Sequence, residues 1–250
     1  MEHPVIVITG ASSGIGAALA ERLASKGASV SLVARRADAL QAVASRCHGR
    51  ALAIVADVTQ REQVRKAFEQ TIRSFGRIDV LVNNAGQGIT RPPSQLTDAD
   101  MDDMFRVNVK GVVYAMQEVL PHFQARGTGH VINISSMLGR IPFATFRSAY
   151  SASKHYLNAM TAMFRDEVQQ THPGIQFTIV SPGVVRTDFG LNAMHGGPDS
   201  RQIGESQSAE EVADVIADVV DSRLPDVYTR RGAHDRVAAY YSSLGTDAPN

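Results

Sequence analysis

The amino-acid sequence predicts an α/β fold, a doubly wound parallel β-sheet flanked by helices, built as a single domain over residues 1–250. Short β-branched runs alternate with helical patterns from the first residues onward, which is typical of βαβ units and of a parallel sheet. No linker or repeat divides the 250 residues, and a chain of this length buries a sizeable core without cross-links.

Seven runs carry the strand pattern, at residues 4–9 (PVIVIT), 29–34 (SVSLVA), 50–57 (RALAIVAD), 78–86 (IDVLVNNAG), 129–136 (GHVINISS), 175–183 (IQFTIVSPG) and 226–229 (DVYT). Helical patterns lie between them, at residues 16–27, 37–47, 61–76, about 99–122 and about 148–170. Another helix begins at Ser208, because Glu211 three positions later has the form of a capping box. An amphipathic tail follows the last strand.

Composition narrows the class of partner. The formal net charge is zero, from 25 basic and 25 acidic residues, which argues against nucleic acid and anionic membranes and favours a small neutral partner. The single cysteine, Cys47, forms no internal disulfide, and the eight histidines show no metal-ligand spacing. The opening MEHPVIVITG lacks a basic n-region, and no later segment approaches the ~18 apolar residues of a membrane span. We therefore expect a soluble, cytoplasmic protein.

The first strand runs directly into TGASSGIG, residues 9–16. Gly10, Gly14 and Gly16 allow a sharp turn, close approach of a ligand to the backbone, and tight packing of helix on strand. A pyrophosphate then lies on the helix N-terminus. Because this turn follows a strand and opens a helix within a βαβ unit, it predicts a Rossmann-like dinucleotide site. The alternative is a left-handed turn without a ligand.

The second strand ends in LVARR, where an acidic residue would bond the ribose 2′-hydroxyl of NAD. Ala34 occupies that position and cannot form the bond, whereas Arg35 and Arg36 carry planar donors suited to a 2′-phosphate. Asp38 lies too late, inside the next helix. The sequence therefore favours NADP over NAD, the alternative being two solvated arginines at a strand end.

Residues 186–208 form an irregular segment that is long for a compact domain, and we expect a substrate loop or lid there. Glycines at positions 190, 196, 197 and 204 predict mobility, because they leave few rigid anchors. The alternative is a surface loop without function.

Tyr150 and Lys154 stand four positions apart in AYSASKHYLN, so a helix places them on one face. A phenol beside an ammonium group suits proton transfer. The pair alone is equally typical of a solvated lysine beside a half-buried tyrosine.

Ordered motifs decide between these alternatives. The sequence carries TGASSGIG at 9–16, ADV at 56–58, NNAG at 83–86, Asn108 in VNVKG, NISS at 133–136, YSASK at 150–154 and SPGVVRT at 181–187. Together they resemble the short-chain dehydrogenase/reductase family from roughly Pro4 to Thr187. The resemblance implies an NAD(P)-dependent enzyme and the catalytic set Asn108, Ser136, Tyr150 and Lys154.

The resemblance also implies a role for each member of that set. Lys154 binds the nicotinamide ribose and lowers the pKa of Tyr150, helped by the positive nicotinamide, toward the working range. Ser136 donates to the substrate oxygen, and Asn108 holds a water that links the lysine to solvent. Ser135 competes with Ser136, which as a strand-terminal serine also suits a capping role. Asn108 alone would be a solvated or capping amide.

Cofactor contacts implied by the resemblance lie in the glycine turn, beside the adenine, at the centre of the sheet and on the nicotinamide side. They are Gly10, Ser12, Ser13, Gly14, Ile15, Gly16, Arg35, Arg36, Asp57, Val58, Asn84, Ala85, Gly86, Tyr150, Lys154, Pro182, Gly183, Val185 and Thr187. Asn83 instead braces the sheet. The span from Ser136 to Tyr150 is one residue longer than the common family arrangement, which leaves the pocket shape open.

The sequence thus predicts an NADP-preferring oxidoreductase that acts on an alcohol/carbonyl pair. Two alternatives stay open, an NAD-dependent dehydrogenase of the same family and a non-catalytic dinucleotide-binding sensor or scaffold. The family assembles through its long helices, and Val109, Val112, Val113 and Met116 form an apolar stripe on one of them. We therefore expect a homodimer or homotetramer, although part of this stripe would face the protein's own sheet.

Overall fold

The computed structural model describes residues 3–245, so the ends of the predicted domain, residues 1–2 and 246–250, lie outside the described residues. The strands of one seven-stranded sheet are β1 (Val5–Thr9), β2 (Ser29–Ala34), β3 (Ala51–Val55), β4 (Val80–Asn83), β5 (Gly129–Ile134), β6 (Ile175–Ser181) and β7 (Asp226–Tyr228). All pair in parallel, in the order β3-β2-β1-β4-β5-β6-β7. The predicted parallel sheet is confirmed.

The α-helices are α1 (Gly14–Ser25), α2 (Ala37–Ser45), α3 (Arg61–Phe75), α4 (Asp98–Phe105), α5 (Gly111–Arg126), α6 (Ser148–Gln169), α7 (Ala209–Ser222) and α8 (Ala233–Ser242). Helices α1, α2 and α7 cover one face of the sheet, and α3, α5 and α6 cover the other. Successive residues of β1 point to opposite faces of the sheet. Ile6 and Ile8 pack in the core on the α1, α2 and α7 side, and Val7 packs in the core on the α3, α5 and α6 side. All five β1 residues are buried, as expected for a strand covered on both faces.

Strand order reverses beside β1, which pairs with β2 on one side and with β4 on the other. The connections after β1 and β4 leave the sheet in opposite directions, and a crevice opens between them at the carboxyl ends of the strands. In open α/β sheets this switch point is the usual ligand site. The fold therefore places the predicted glycine turn and the NNAG motif next to each other at this switch point.

The helical pattern predicted over about 99–122 is confirmed, but a π-turn interrupts its regular hydrogen bonding. A capping box of Thr97 and Asp100 opens α4, and the wider π-turn Arg106–Lys110 separates α4 from α5. Asn108 lies inside that turn, fully buried. A π-turn inserts one extra residue into the helical repeat and is common at functional sites. Helical periodicity alone does not reveal it.

The apolar stripe predicted on α5 faces the protein's own core. Val109, Val112 and Met116 are buried, and Val113 packs against the same cluster. The use of this stripe as evidence for an interface was therefore wrong, because burial against the sheet already accounts for it.

Loop 186–208 has more anchors than its glycines predict. The amide of Thr90 donates to the Met194 carbonyl (2.9 Å), and that of Met194 donates to the Gly88 carbonyl (2.9 Å). His195 Nε2 lies 2.7 Å from the carboxylate of the buried Asp100. The premise of few rigid anchors was wrong. After the loop, the capping box predicted for Ser208 and Glu211 is confirmed at the start of α7.

None of the helices within residues 3–245 combines the length and apolarity required to cross a lipid bilayer.

Acid stability should depend on His130, which is buried in β5 beside the Thr178 hydroxyl (Nε2 to Oγ1, 2.8 Å). Burial lowers the pKa of His130 from 6.5 to about 3. Between these two pH values the imidazole is protonated in the unfolded chain and neutral in the folded chain. The free energy of unfolding should then fall by about 1.4 kcal/mol per pH unit between these two values. Urea titrations of the wild type and His130→Gln from pH 7.5 to 4.5 measure this slope. Equal slopes in the two proteins would contradict the assignment.

Candidate active site

The glycine turn closes against the end of β4. Gly10 has φ +67°, and a Cβ there would lie 2.8 Å from the Ala85 Cα. A Cβ on Gly16 would lie 2.5 Å from the Gly10 carbonyl oxygen and 2.6 Å from Asn84 Nδ2. These contacts leave no room for a side chain, so both positions require glycine.

Hydrogen bonds tie the same two segments together. Asn84 Nδ2 donates to the carbonyl oxygens of Thr9 (3.0 Å) and Gly10 (3.2 Å). The Thr9 hydroxyl oxygen accepts from the amides of Asn84 (3.0 Å) and Ala85 (3.1 Å). The Asn84 side chain therefore shapes the turn, and Gly86 is the exposed end of the NNAG motif. The neighbouring Asn83 donates to Asn133 Oδ1 (2.9 Å), as expected for a residue that braces the sheet.

The start of α1 suits an anionic group. Within residues 3–245 no side chain caps this helix, and its first turn holds no acidic residue, so its first amides stay available as donors. Ser12 and Ser13 precede it, and Arg36 Nη2 donates to their hydroxyl oxygens (3.2 and 2.9 Å). Arg35 is exposed beside Arg36. The residues present thus fit the pyrophosphate and the adenosine end of a dinucleotide.

The other predicted cofactor residues lie at the same carboxyl edge of the sheet. Asp57 and Val58 follow β3 and are half-buried, and the Asp57 carboxylate accepts from the amide of Thr59 (2.9 Å). Across the crevice, a Cβ on Gly14 would meet the Thr187 methyl group at 3.2 Å. Ile15 also packs against the core at this point. The segment after β6 therefore approaches the glycine turn directly.

Pro182 and its neighbours form the far wall. The Pro182 carbonyl accepts from the amide of Met137 (2.8 Å), which joins this segment to the end of β5. Val185 pairs with Gln207, so the segment is fixed at both ends. A Cβ on Gly183 would lie 3.1 Å from Arg230 Nε. Sequence motifs more than a hundred residues apart thus meet around one crevice.

Tyr150 and Lys154 lie on one face of α6, as predicted, and both are buried. The Lys154 Nζ lies 5.7 Å from the centroid of the Tyr150 ring and donates to the Ile134 carbonyl (2.8 Å). A Cβ on Gly86 would lie 3.7 Å from this Nζ. The ammonium group therefore faces the crevice beside the NNAG motif.

Burial controls the protonation of both groups. It raises the pKa of the Tyr150 phenol to about 12, and the nearby Ser136 hydroxyl and Arg147 guanidinium oppose the increase. Burial lowers the pKa of Lys154 to about 8. Loss of hydration dominates at the phenol in the chain without cofactor, and Lys154 is not among the causes of this pKa shift. That Lys154 and the positive nicotinamide together lower the pKa of Tyr150 stays a prediction for the complex with cofactor.

The side chains of Ser136 and Ser135 have different surroundings. The Ser136 hydroxyl lies close enough to the Tyr150 phenol to lower its pKa. The same hydroxyl oxygen accepts from the amide of Leu138 (3.1 Å) and so caps the short 3₁₀ turn Met137–Gly139. The Ser135 hydroxyl is buried without a hydrogen-bond partner among the described residues. The geometry therefore favours Ser136 over Ser135 as the neighbour of the phenol.

Asn108 joins three segments from inside its π-turn. Its Oδ1 accepts from the amide of Gln87 (2.8 Å), and its Nδ2 donates to the Gln87 carbonyl (2.9 Å) and the Ser153 hydroxyl (3.0 Å). A Cβ on Gly86 would lie 3.4 Å from Oδ1. Asn108 is thus neither solvated nor a simple helix cap.

Two residues of the site were missed from the sequence. Arg147 is buried at the start of α6, and Phe189 of loop 186–208 packs on Tyr150 with ring centroids 5.4 Å apart. Arg147 precedes Tyr150 by three positions, and this i, i+3 spacing could have identified it. Nothing local marks Phe189, because its position depends on the path of the loop.

Known proteins resemble this chain over most of its length. The family model described as short chain dehydrogenase matches residues 4–195. An uncharacterized oxidoreductase of Staphylococcus epidermidis is 37% identical over 199 residues, which cover 76% of this chain and 84% of that protein. The chain belongs to the short-chain dehydrogenase family. This short-chain dehydrogenase is an oxidoreductase that uses a nicotinamide cofactor.

Solved structures agree with this assignment. A short-chain dehydrogenase from Streptomyces avermitilis is 34% identical, with a TM-score of 0.83, over 96% of this chain and 93% of its own. An alcohol dehydrogenase from Thermococcus sibiricus, complexed with 5-hydroxy-NADP, is 27% identical with a TM-score of 0.79, over 91% and 96%. A 3-ketoacyl-(acyl-carrier-protein) reductase from Brucella melitensis, complexed with NADH, is 27% identical with a TM-score of 0.82, over 91% and 96%. Equally similar neighbours thus carry either form of the cofactor.

We expect Gly16→Ala to weaken cofactor binding at least tenfold and to lower the melting temperature, because its Cβ would overlap the Gly10 carbonyl and the Asn84 amide. Gly204→Ala is the matched control, since no atom lies within 4 Å of its added Cβ. Fluorescence titration with NADPH and NADH, with thermal unfolding, measures both effects. Equal behaviour of the two variants would show that the turn tolerates a side chain.

Proposed function

We propose that this short-chain dehydrogenase prefers NADP(H) and transfers a hydride between that cofactor and an alcohol/carbonyl substrate. The observation that carries the proposal is the position of Arg36, whose guanidinium reaches across the glycine turn to Ser12 and Ser13. Ala34, at the end of β2, has no group that could accept from a ribose 2′-hydroxyl. A guanidinium and two hydroxyls beside the adenosine ribose favour a 2′-phosphate over a free hydroxyl.

The chain itself supplies positioning and proton transfer, and the bound cofactor supplies or accepts the hydride. Tyr150 is the proposed proton donor to the substrate oxygen, and Ser136 the donor that stabilises charge on the same oxygen. A raised pKa keeps the phenol protonated at neutral pH, which is the form that carbonyl reduction requires. Lys154 is proposed to bind the nicotinamide ribose through the Nζ that faces Gly86.

Asn108 is proposed to position this set rather than to touch the substrate. Its amide bonds to Gln87 fix the segment after the NNAG motif, and its bond to Ser153 fixes the inner face of α6 next to Lys154. The Asn108 side chain therefore holds α6 and the end of β4 at a constant separation.

An NAD-dependent dehydrogenase is the second candidate, because Arg35 and Arg36 are exposed and one neighbour at 27% identity was solved with NADH. Exposed charge pairs contribute little free energy, so two exposed arginines are also compatible with an NAD enzyme.

Self-association is also a proposal. With the α5 stripe buried, the support comes from α4 and α6, where Phe105 and Tyr156 are partly exposed and pack edge to face (centroids 5.1 Å apart). Met101 and Met163 are exposed on the same helices. A patch of this kind suits a homodimer or homotetramer.

We expect NADPH to bind at least tenfold more tightly than NADH, and the double variant Arg35→Ala/Arg36→Ala to remove most of the difference, because the 2′-phosphate loses its charged donors. Isothermal titration calorimetry measures both affinities. Arg73→Ala, on the exposed face of α3, is the control that changes charge without touching the crevice. Equal affinities of the wild type for the two cofactors would support the NAD candidate instead.

Tyr150→Phe should reduce turnover by about 10²–10⁴ while NADPH binding stays within a few fold, because only the proton route is lost. Lys154→Ala should weaken both turnover and binding. Single-turnover hydride transfer, with a carbonyl compound found by a spectrophotometric screen, and a fluorescence titration of NADPH separate the two effects. Near-parental rates for Tyr150→Phe would remove Tyr150 from the reaction and leave the cofactor site standing.

A further inference from the structure

Arg147 carries a buried positive charge without a carboxylate partner in the part of the chain that the structure describes. It is 8% exposed, and the guanidinium makes one hydrogen bond there, from Nη1 to the Ile89 carbonyl (3.3 Å). The nearby Arg91 differs in this respect, because it forms an ion pair with the buried carboxylate of Asp100 (2.8 Å). A buried charge normally has a counter-ion, so the remaining donors of Arg147 suit an external anion.

The guanidinium stands beside the reactive phenol. Arg147 immediately precedes α6, three positions before Tyr150, and each of the two residues affects the pKa of the other. A Cβ on Gly88 would lie 3.1 Å from Arg147 Nη1 and 3.0 Å from Phe189 Cε1, and Phe189 packs on the Tyr150 ring. Arg147, Phe189 and Tyr150 therefore share one wall of the crevice.

A second unsatisfied group lies next to Arg147. The Thr90 hydroxyl is buried without a hydrogen-bond partner among residues 3–245. A Cβ on Gly197 would lie 2.9 Å from Thr90 Oγ1 and 3.1 Å from Arg147 Nη2, and the Gly190 carbonyl oxygen would be 2.5 Å away. Thr90 and Arg147 are thus close neighbours beneath loop 186–208, at a point where the loop has room only for glycine. A hydroxyl and a guanidinium together form a donor set for a carboxylate.

We propose that Arg147 and Thr90 bind a carboxylate group of the substrate, so that the substrate is an oxo acid or the matching hydroxy acid. This inference rests on the proposed function. In the reduction, a hydride passes from NADPH to the carbonyl carbon and a proton passes from the Tyr150 phenol to the carbonyl oxygen. The C=O bond becomes C–OH, NADPH becomes NADP⁺, and the carboxylate is unchanged. Its role is to fix the carbonyl opposite the phenol.

A purely structural Arg147 would act differently. It would hold the Ile89 carbonyl and the adjacent segments in place, and its loss would affect charged and neutral substrates alike. A binding role changes the ratio between the two classes, which is therefore the quantity to measure.

The test uses three oxo acids, 2-oxobutanoate, 3-oxobutanoate and 4-oxopentanoate, and the methyl ester of each. The rate of NADPH oxidation is measured with all six compounds. We expect the wild type to prefer at least one acid to its ester in kcat/KM by tenfold or more. Arg147→Met should lower this acid-to-ester ratio about 10- to 100-fold, mainly through KM for the acid, as expected for loss of hydrogen bonds to a charged group. Arg147→Lys should retain part of the preference. The exposed Arg73→Met should keep the wild-type ratio.

Thr90→Val tests the same site independently, in case the arginine variants do not fold. Valine has nearly the same shape as threonine and lacks only the hydroxyl. It should lower the acid-to-ester ratio by a smaller factor, about tenfold or less. Calorimetric binding of butanoate to the NADP⁺ complex gives a readout without turnover, and Arg147→Met and Thr90→Val should both weaken it.

The proposal and the proposed function fail in different ways. Equal use of acids and esters, or an acid preference that survives both Arg147→Met and Thr90→Val, would overturn the carboxylate site and leave the enzyme a carbonyl reductase. Reduction of neutral aldehydes or ketones without turnover of any of the six compounds would overturn it as well. Failure to oxidise NADPH with any carbonyl compound would overturn the proposed function itself.

Discussion

The contact between the glycine turn and the end of β4 is the constraint on which the rest of the site depends. Two strands that are neighbours in the sheet, β1 and β4, send their connections in opposite directions, and the crevice exists only if the two connections hold a fixed separation. Asn84 and Ala85 set that separation by donating four hydrogen bonds across the switch point to oxygens of Thr9 and Gly10. Gly10 and Gly16 admit these bonds because a side chain at either position would occupy the same space.

Desolvation governs the chemistry that this frame can perform. The first turns of α6 bring a phenol, an ammonium and a guanidinium out of water within two helical turns, and the pKa values of Tyr150, Lys154 and Arg147 all move toward the neutral form. The result is a set of buried hydrogen-bond donors that have lost water and have not replaced all of its hydrogen bonds with protein partners. Such groups gain more from an anionic or polar ligand than solvated groups do, since their hydration has already been lost.

Loop 186–208 covers that set through specific contacts. His195 reaches the Asp100 carboxylate, which Arg91 also binds, and the pKa of Asp100 is held well below its usual range by the His195 contact first and by the backbone amide of Thr97 second. Because Asp100 also caps α4, the loop is tied to the start of a helix. Any movement of the loop has to break or carry this contact, so its glycines alone do not describe its freedom.

The sequence by itself determined the parallel fold, the glycine turn, the family and the spacing of Tyr150 and Lys154, because each depends on neighbours along the chain and on periodicities of 2 and 3.6 residues. Only the tertiary structure decided what those groups face. The π-turn around Asn108, the burial of the α5 stripe and the raised pKa of Tyr150 all follow from segments far apart in sequence. Arg147 shows the distinction most directly. The identity of Arg147 and its spacing from Tyr150 can be read along the chain. Its lack of a carboxylate partner within residues 3–245 and its place beside Thr90 arise where α6, the segment after β4 and loop 186–208 meet.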